Sequence, residues 1–104
     1  MRLPFTVNNC QHRVLGEQVQ VLFSDEFILK LTQPEASSLS LALVAVRDGI
    51  SEERELYMSP IGSDAAFSGS VCDHGVNIET TAGTVELSWM NVGILAEDMA
   101  AAIR

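Results

Sequence analysis

The stretch Phe27-Ile28-Leu29-Lys30-Leu31-Thr32-Gln33-Pro34-Glu35 reads as a strand that hands over to a helix. Phe27, Leu29 and Leu31 share one face under the period-two alternation of a half-buried strand. Thr32 and Glu35 then stand at capping-box spacing: the threonine hydroxyl can accept from the amide three residues on, and the glutamate can reach back to the Thr32 amide. Pro34 costs little in a first turn, where amides lack helical partners. The helix is predicted to run from Pro34 through Ala36 to about Asp48, with Gly49 as its left-handed stop.

Upstream, Val19, Val21 and Phe23 alternate with Gln18, Gln20 and Leu22. The polar Ser24-Asp25-Glu26 joins this strand to the next, and so short a connection predicts an antiparallel pair. Arg13-Val14 is expected in the arm of an earlier hairpin turning at Leu15-Gly16-Glu17. Downstream, Leu56-Tyr57-Met58 forms a short strand closed by Ser59-Pro60. Positions 61–70 read as a loop, with a strand near Phe67 to Cys72. Val76, Ile78 and Thr80 alternate, as do Val85, Leu87 and Trp89, and Thr81-Ala82-Gly83-Thr84 supplies a hairpin turn with glycine where φ must be positive. A last helix, from Asn91 or Val92 to Ile103, sets Val92, Leu95, Ala96, Met99 and Ile103 on one stripe, with Glu97 and Asp98 facing away. Both halves run from a Cys-x-His through a hairpin to a helix. Their spacings do not match, so no repeat is assigned. The expected fold is α+β: one antiparallel, twisted sheet of five or six strands with two helices packed on it.

The chain has 104 residues, 47% apolar and 19% charged, with a net charge of −8. That length supports a single α+β domain over residues 1–104 and a packed core. Its single lysine, Lys30, and few arginines argue against direct nucleic-acid binding, which needs clustered cations. No apolar run is long enough to span a membrane. The start, Met1-Arg2-Leu3-Pro4-Phe5, lacks the apolar core of a secretory signal, so a cytoplasmic location is expected.

Three features point toward function. The first is the middle helix. Leu39, Ala42, Leu43 and Val46 form a stripe toward the sheet, and Leu41, Val44 and Ala45 fall on the other side. A helix apolar on two sides needs a second cover, and another copy of the chain supplies one, which makes Leu41, Val44 and Ala45 the candidate interface of a homodimer.

The second is a pair of Cys-x-His motifs, Cys10-Gln11-His12 and Cys72-Asp73-His74, which hold every cysteine and histidine in the chain. Residues i and i+2 of a strand share a face, so two such pairs brought together would make a Cys₂His₂ zinc set. Without that meeting, the thiols are small buried groups and no cofactor is expected.

The third is acidity. Asp48, Glu52, Glu53 and Glu55, interrupted by Arg54, form a local negative patch suited to a basic protein partner.

No nucleophile elbow, phosphate loop or dinucleotide fingerprint is present, so the balance leans away from an enzyme. The leading expectation is a small acidic binding protein, homodimeric, with an apolar ligand pocket between sheet and helices lined by Phe23, Phe27, Tyr57, Phe67 or Trp89. The alternatives are an acidic inhibitor that covers a basic, nucleic-acid-handling partner, and a zinc or thiol protein built on Cys10, His12, Cys72 and His74.

Overall fold

A computed structural model describes residues 3–24 and 27–103. The first three strands, β1 (Thr6–His12), β2 (Gly16–Ser24) and β3 (Phe27–Thr32), form one antiparallel meander with β2 in the centre. Val19 pairs with Leu31 and Val21 with Leu29, and all four are buried. The β1–β2 turn lies earlier than the sequence suggested, at 13–15 rather than at 15–17. Gly16 takes φ 80° to re-enter the ladder, and His12 Nδ1 accepts from the amides of Val14 (3.1 Å) and Leu15 (3.0 Å). The register slips between Leu22 and Ser24. The polar turn residues Asp25 and Glu26 lie outside the described residues.

Helix α1 (Gln33–Arg47) starts where the capping box put it. The Glu35 amide donates to Thr32 Oγ1 at 3.3 Å and the Thr32 amide donates to Glu35 Oε1 at 2.8 Å. Gly49, at φ 74°, ends it. Helix α2 (Trp89–Ala102) starts earlier than expected. Ser88 is its N-cap, its hydroxyl accepting from the Asn91 amide at 3.2 Å. Trp89 is therefore the first helical residue and not the last of a strand.

The strands do not join in one sheet of five or six. Seven strands among the described residues divide into two sheets. The second is β4 (Glu55–Met58), β5 (Phe67–Cys72), β6 (Gly75–Thr80) and β7 (Gly83–Ser88), antiparallel throughout in the order β4-β5-β6-β7. The predicted hairpin is its firmest part, with Val76 opposite Leu87 and Ile78 opposite Val85. The split has a plain cause. α1 follows β3 immediately and carries the chain away, and the next loop occupies the β3 edge: the Lys30 amide donates to Ser63 Oγ (3.2 Å) and Ser63 Oγ to the Ile28 carbonyl (3.5 Å). A strand that has those groups satisfied by a loop has no use for β4 as a neighbour.

Each sheet ends in a helix that packs back on it: α1 on β2 and β3, α2 on β6 and β7. The two units keep step from β3 and β7 onward. Thr32 and Ser88 are equivalent caps with nearly the same backbone angles. The buried positions Ala36, Leu39, Ser40 and Leu43 recur at the same interval as Val92, Leu95, Ala96 and Met99. The architecture repeats although the residues mostly do not. The two helices pack on each other, and Ser40, buried, donates its hydroxyl to the Ala96 carbonyl at 2.9 Å. α2 also reaches β1, where Asn9 Nδ2 donates to the Ala102 carbonyl at 2.7 Å. One continuous cluster of buried apolar side chains, drawn from both sheets and both helices, results. No described helix is long and apolar enough to cross a membrane.

Gly93 sits inside α2, where glycine weakens a helix. A Cβ there would meet only the Arg47 side chain, nearest at 2.8 Å from a terminal guanidinium nitrogen, the far end of a flexible side chain that is 33% exposed. Gly93→Ala is expected to stabilise the protein by about 0.5–1 kcal/mol, because the arginine can move aside. Urea denaturation checks it, and a loss of stability would mean that Arg47 is fixed in place.

Candidate functional site

The aromatics expected to line a pocket line neither of the clefts found among the described residues. Phe23, Phe27 and Phe67 are buried in the core, with the Phe23 and Phe27 rings tilted against each other at 6.1 Å between centroids. Tyr57 points the other way and is 72% exposed. Trp89 is half-buried at the start of α2, and its Nε1 donates to the Asp73 carbonyl at 3.0 Å. Phe23, Phe27 and Phe67 belong instead to the buried apolar cluster to which both sheets and both helices contribute.

The two Cys-x-His motifs belong to different sheets, and each closes a turn. Cys10, on β1, donates its thiol to Gln18 Oε1 at 3.7 Å, and His12 caps the β1–β2 turn. Cys72 donates to the Gly75 carbonyl at 3.5 Å, and the His74 carbonyl accepts from the Trp89 amide at 3.1 Å. Among the described residues no three His, Cys, Asp or Glu side chains gather to hold a metal ion. The four predicted zinc ligands are not brought into one set.

On α1 the core-facing stripe is Ala36, Leu39, Ser40, Leu43 and Val46. Ala42, expected on this stripe, is half-buried and packs against the core, and Ser40, whose hydroxyl bridges the helix pair, joins the buried set. Val44, expected on the other side, is likewise half-buried against the core. Of the expected interface residues, Leu41 alone stands fully clear at 68% exposure, with Ala45 half-exposed beside it.

The acidic patch also divides. Asp48 pairs with Arg47 at 2.9 Å on the surface. The hydrogen bond from the guanidinium lowers the Asp48 carboxyl pKa, and the same contact raises that of Arg47. Glu52 and Glu53 are exposed in the loop before β4. Glu55 turns onto the outer face of the second sheet.

That outer face is the feature the sequence did not disclose. Leu56, Phe67, Val76, Ile78 and Leu87 point inward and are buried, so the alternate positions of all four strands face solvent. Register aligns Glu55, Ser70, Asn77 and Glu86 in one rank across the sheet. At about 4.8 Å per strand the two carboxylates stand roughly 14 Å apart. Ser70 Oγ donates to Glu55 Oε2 at 3.2 Å. In the neighbouring rank Thr84 Oγ1 donates to Glu79 Oε1 at 3.0 Å. The four strands contain no lysine or arginine. The face is open, hydroxylated and negative. The polar phase of the Val76–Leu87 hairpin was the available signal, but joining it to Glu55 and Ser70 requires a register that no single strand encodes.

Two shallow clefts lie on the outer sides of the sheets. One, of about 270 Å³, is lined by Cys72, His74, Asn77, Glu86, Leu87 and Ser88 and opens on the acidic face. The other, also about 270 Å³, lies between β3 and the loop that seals it, with Lys30, Ser63 and Asp64 on its rim. Beside it Gly62 passes over the buried amide of Gln18, whose Nε2 has no partner among the described residues.

Comparison with protein-family models, with curated proteins and with solved structures finds no match for this chain.

Proposed function

We propose that the chain is a small acidic interaction protein rather than an enzyme, that it docks a basic protein surface on the outer face of β4–β7, and that it works as a homodimer. The observation that carries the docking reading is the Glu55–Ser70–Asn77–Glu86 rank on a sheet without a single cation. The two carboxylates of this rank, with Glu79 in the neighbouring one, attract clustered lysines and arginines at long range. The serines, Thr84 and Asn77 between them offer hydrogen bonds once contact is made. The dimer reading is favoured by one further observation, the isolated exposure of Leu41 on α1.

A decalysine peptide is a sufficient probe of the acidic face. Followed by amide chemical shifts at low salt, it is expected to perturb residues of β5–β7 around Ser70, Asn77 and Glu86. Glu55→Gln and Glu86→Gln are each expected to weaken binding about two- to fivefold, and binding should fade as the Debye length contracts from about 10 Å at 0.1 M salt to about 3 Å at 1 M. Perturbations confined to positions 48–53, untouched by either substitution, would return the contact to the loop and remove the sheet face from the proposal.

A further inference from the structure

We infer that the cleft beside β7 seats one glutamine side chain from an extended segment of the basic partner, with Glu86 against a lysine or arginine two residues further along that segment. The inference rests on the acidic-face reading and names what that face holds. The two halves of the chain differ at one equivalent place. In the first sheet, register sets Cys10 beside Gln18 and Gln18 beside Thr32, the cap of α1. In the second it sets Cys72 beside Gly75 and Gly75 beside Ser88, the cap of α2. Val19, Leu31, Val76 and Leu87, the alternate positions, are buried inward, so both ranks belong to outer faces. Each runs from a cysteine to a helix-capping hydroxyl. The first holds a carboxamide in the middle and the second holds no side chain.

The first rank is covered by positions 61–64 of the same chain. The Ile61 amide donates to Glu35 Oε2 at 3.0 Å, in the first turn of α1. Gly62 then crosses Gln18 so closely that a Cβ would stand 2.5 Å from its Nε2. Ser63 Oγ accepts from the Lys30 amide and donates to the Ile28 carbonyl on the edge of β3. Asp64 shares the rim of the cleft there with Lys30. Gln18 is left only 1% exposed on an outer face, and its Oε1 accepts from the Cys10 thiol at 3.7 Å.

Each of these points has a counterpart in the second half. Asn91 follows Ser88 by three residues, as Glu35 follows Thr32. Glu86 and Thr84 precede their cap as Lys30 and Ile28 precede theirs, and β7 is the last strand of its sheet, as β3 is of its own. Where the first rank is filled, the second has the cleft of about 270 Å³ bounded by Cys72, Asn77, Glu86 and Ser88, and His74, Glu86 and Ser88 are exposed around it. A segment laid on the second sheet as positions 61–64 lie on the first meets open space where Gly62 meets Gln18. Its residue at that point can carry the carboxamide itself, and the Cys72 thiol can then donate to it as Cys10 donates to Gln18. Two residues on, the place of Asp64 faces Glu86 instead of Lys30. The sign reverses, so the residue there is a lysine or arginine.

The test titrates the full chain with peptides and follows amide chemical shifts. The probe is positions 59–66 of this chain with glutamine in place of Gly62 and lysine in place of Asp64, namely Ser-Pro-Ile-Gln-Ser-Lys-Ala-Ala. It is expected to shift Cys72, His74, Asn77, Glu86 and Ser88, and to bind about five to ten times as tightly as the same peptide with alanine for glutamine. On Glu86→Lys, whose circular dichroism should be unchanged, the preference is expected to invert: the peptide with aspartate in place of its lysine becomes the tighter of the two. Equal binding of the glutamine and alanine peptides overturns the socket, as does a preference for lysine that survives Glu86→Lys. If decalysine still binds the sheet in either case, the acidic-face reading stands without the socket. Failure of decalysine and of this peptide together overturns both.

Discussion

Gly75→Ala is expected to cost about 3–5 kcal/mol, lowering the melting temperature by roughly 12 °C or more. Gly75 opens β6 opposite Ser88, the residue that also caps α2. Its φ of 155° already disfavours a side chain. The larger obstacle is steric. A Cβ at this position would fall inside the contact radius of the Leu87 carbonyl oxygen and press on the carbonyl carbons of Leu87 and Ser88. These are backbone atoms of the adjoining strand and cannot swing away as a side-chain tip can. Relief requires β6 and β7 to part at the place where Val76 and Leu87 meet in the core and where Ser88 must stay extended to cap the helix. One methyl group thereby strains the ladder, the core and the cap together. Gly83→Ala is the control: its φ of 118° is also unfavourable, but its Cβ would meet nothing within 4 Å. That variant should lose only about 1–2 kcal/mol. Thermal and urea denaturation of the two variants separate contact from torsion, and equal losses would show that the strands yield cheaply at Gly75.

Local signals were legible and non-local ones were not. The α1 start could be read because a capping box is complete within four residues. The α2 start was hidden because Ser88 has Asn91 rather than Glu or Gln three residues on, and because Trp89 extends the strand's alternation by one step before the helix begins. β6 and β7 were legible as a hairpin, since a turn and two short apolar phases determine the pairing. The division into two sheets was not. It depends on Ser63 reaching the edge of β3 across more than thirty residues of chain, and serine carries no pattern that announces such a contact.

The site followed the same rule. Leu41 stands exposed on α1, whereas Val44, placed on the same side by helical spacing, packs half-buried against the core. The Cys-x-His arithmetic treated both motifs as strand pairs. Only Cys10 and His12 share a strand; Cys72 ends β5 and His74 lies in the turn beyond it. The acidic sheet face was present in the sequence as three unconnected glutamates. Assembling them needed the registers of β4 with β5, β5 with β6 and β6 with β7, each of which is fixed by inward packing rather than by the glutamates themselves.

Phe67→Ala should be the most damaging of the truncations in the core, at about 3–5 kcal/mol. Phe67 is fully buried and heads the largest such side chains of the chain. It begins β5 opposite Met58, so its ring lies where the short β4 is held to the rest of the sheet. The neighbouring residues are shaped around it. Gly69, next but one on the same face, is buried, and a Cβ there would come within 3.2 Å of the Phe67 ring and 2.9 Å of Val76 Cγ1. A position kept bare for the ring cannot fill the space when the ring is removed, and backbone on a paired strand collapses little. The variant therefore keeps most of its cavity, which adds to the lost burial. Phe67→Leu retains most of the volume and should cost about 1–2 kcal/mol. Combining Phe67→Ala with Gly69→Ala is the sharper measurement: if the ring is what Gly69 accommodates, the added methyl recovers part of the loss even though it must still displace Val76, whereas alone Gly69→Ala destabilises. Additive losses in the double variant would mean that Val76, not the ring, dictates glycine at this position, and that the cavity left by Phe67 is closed by β4 moving inward.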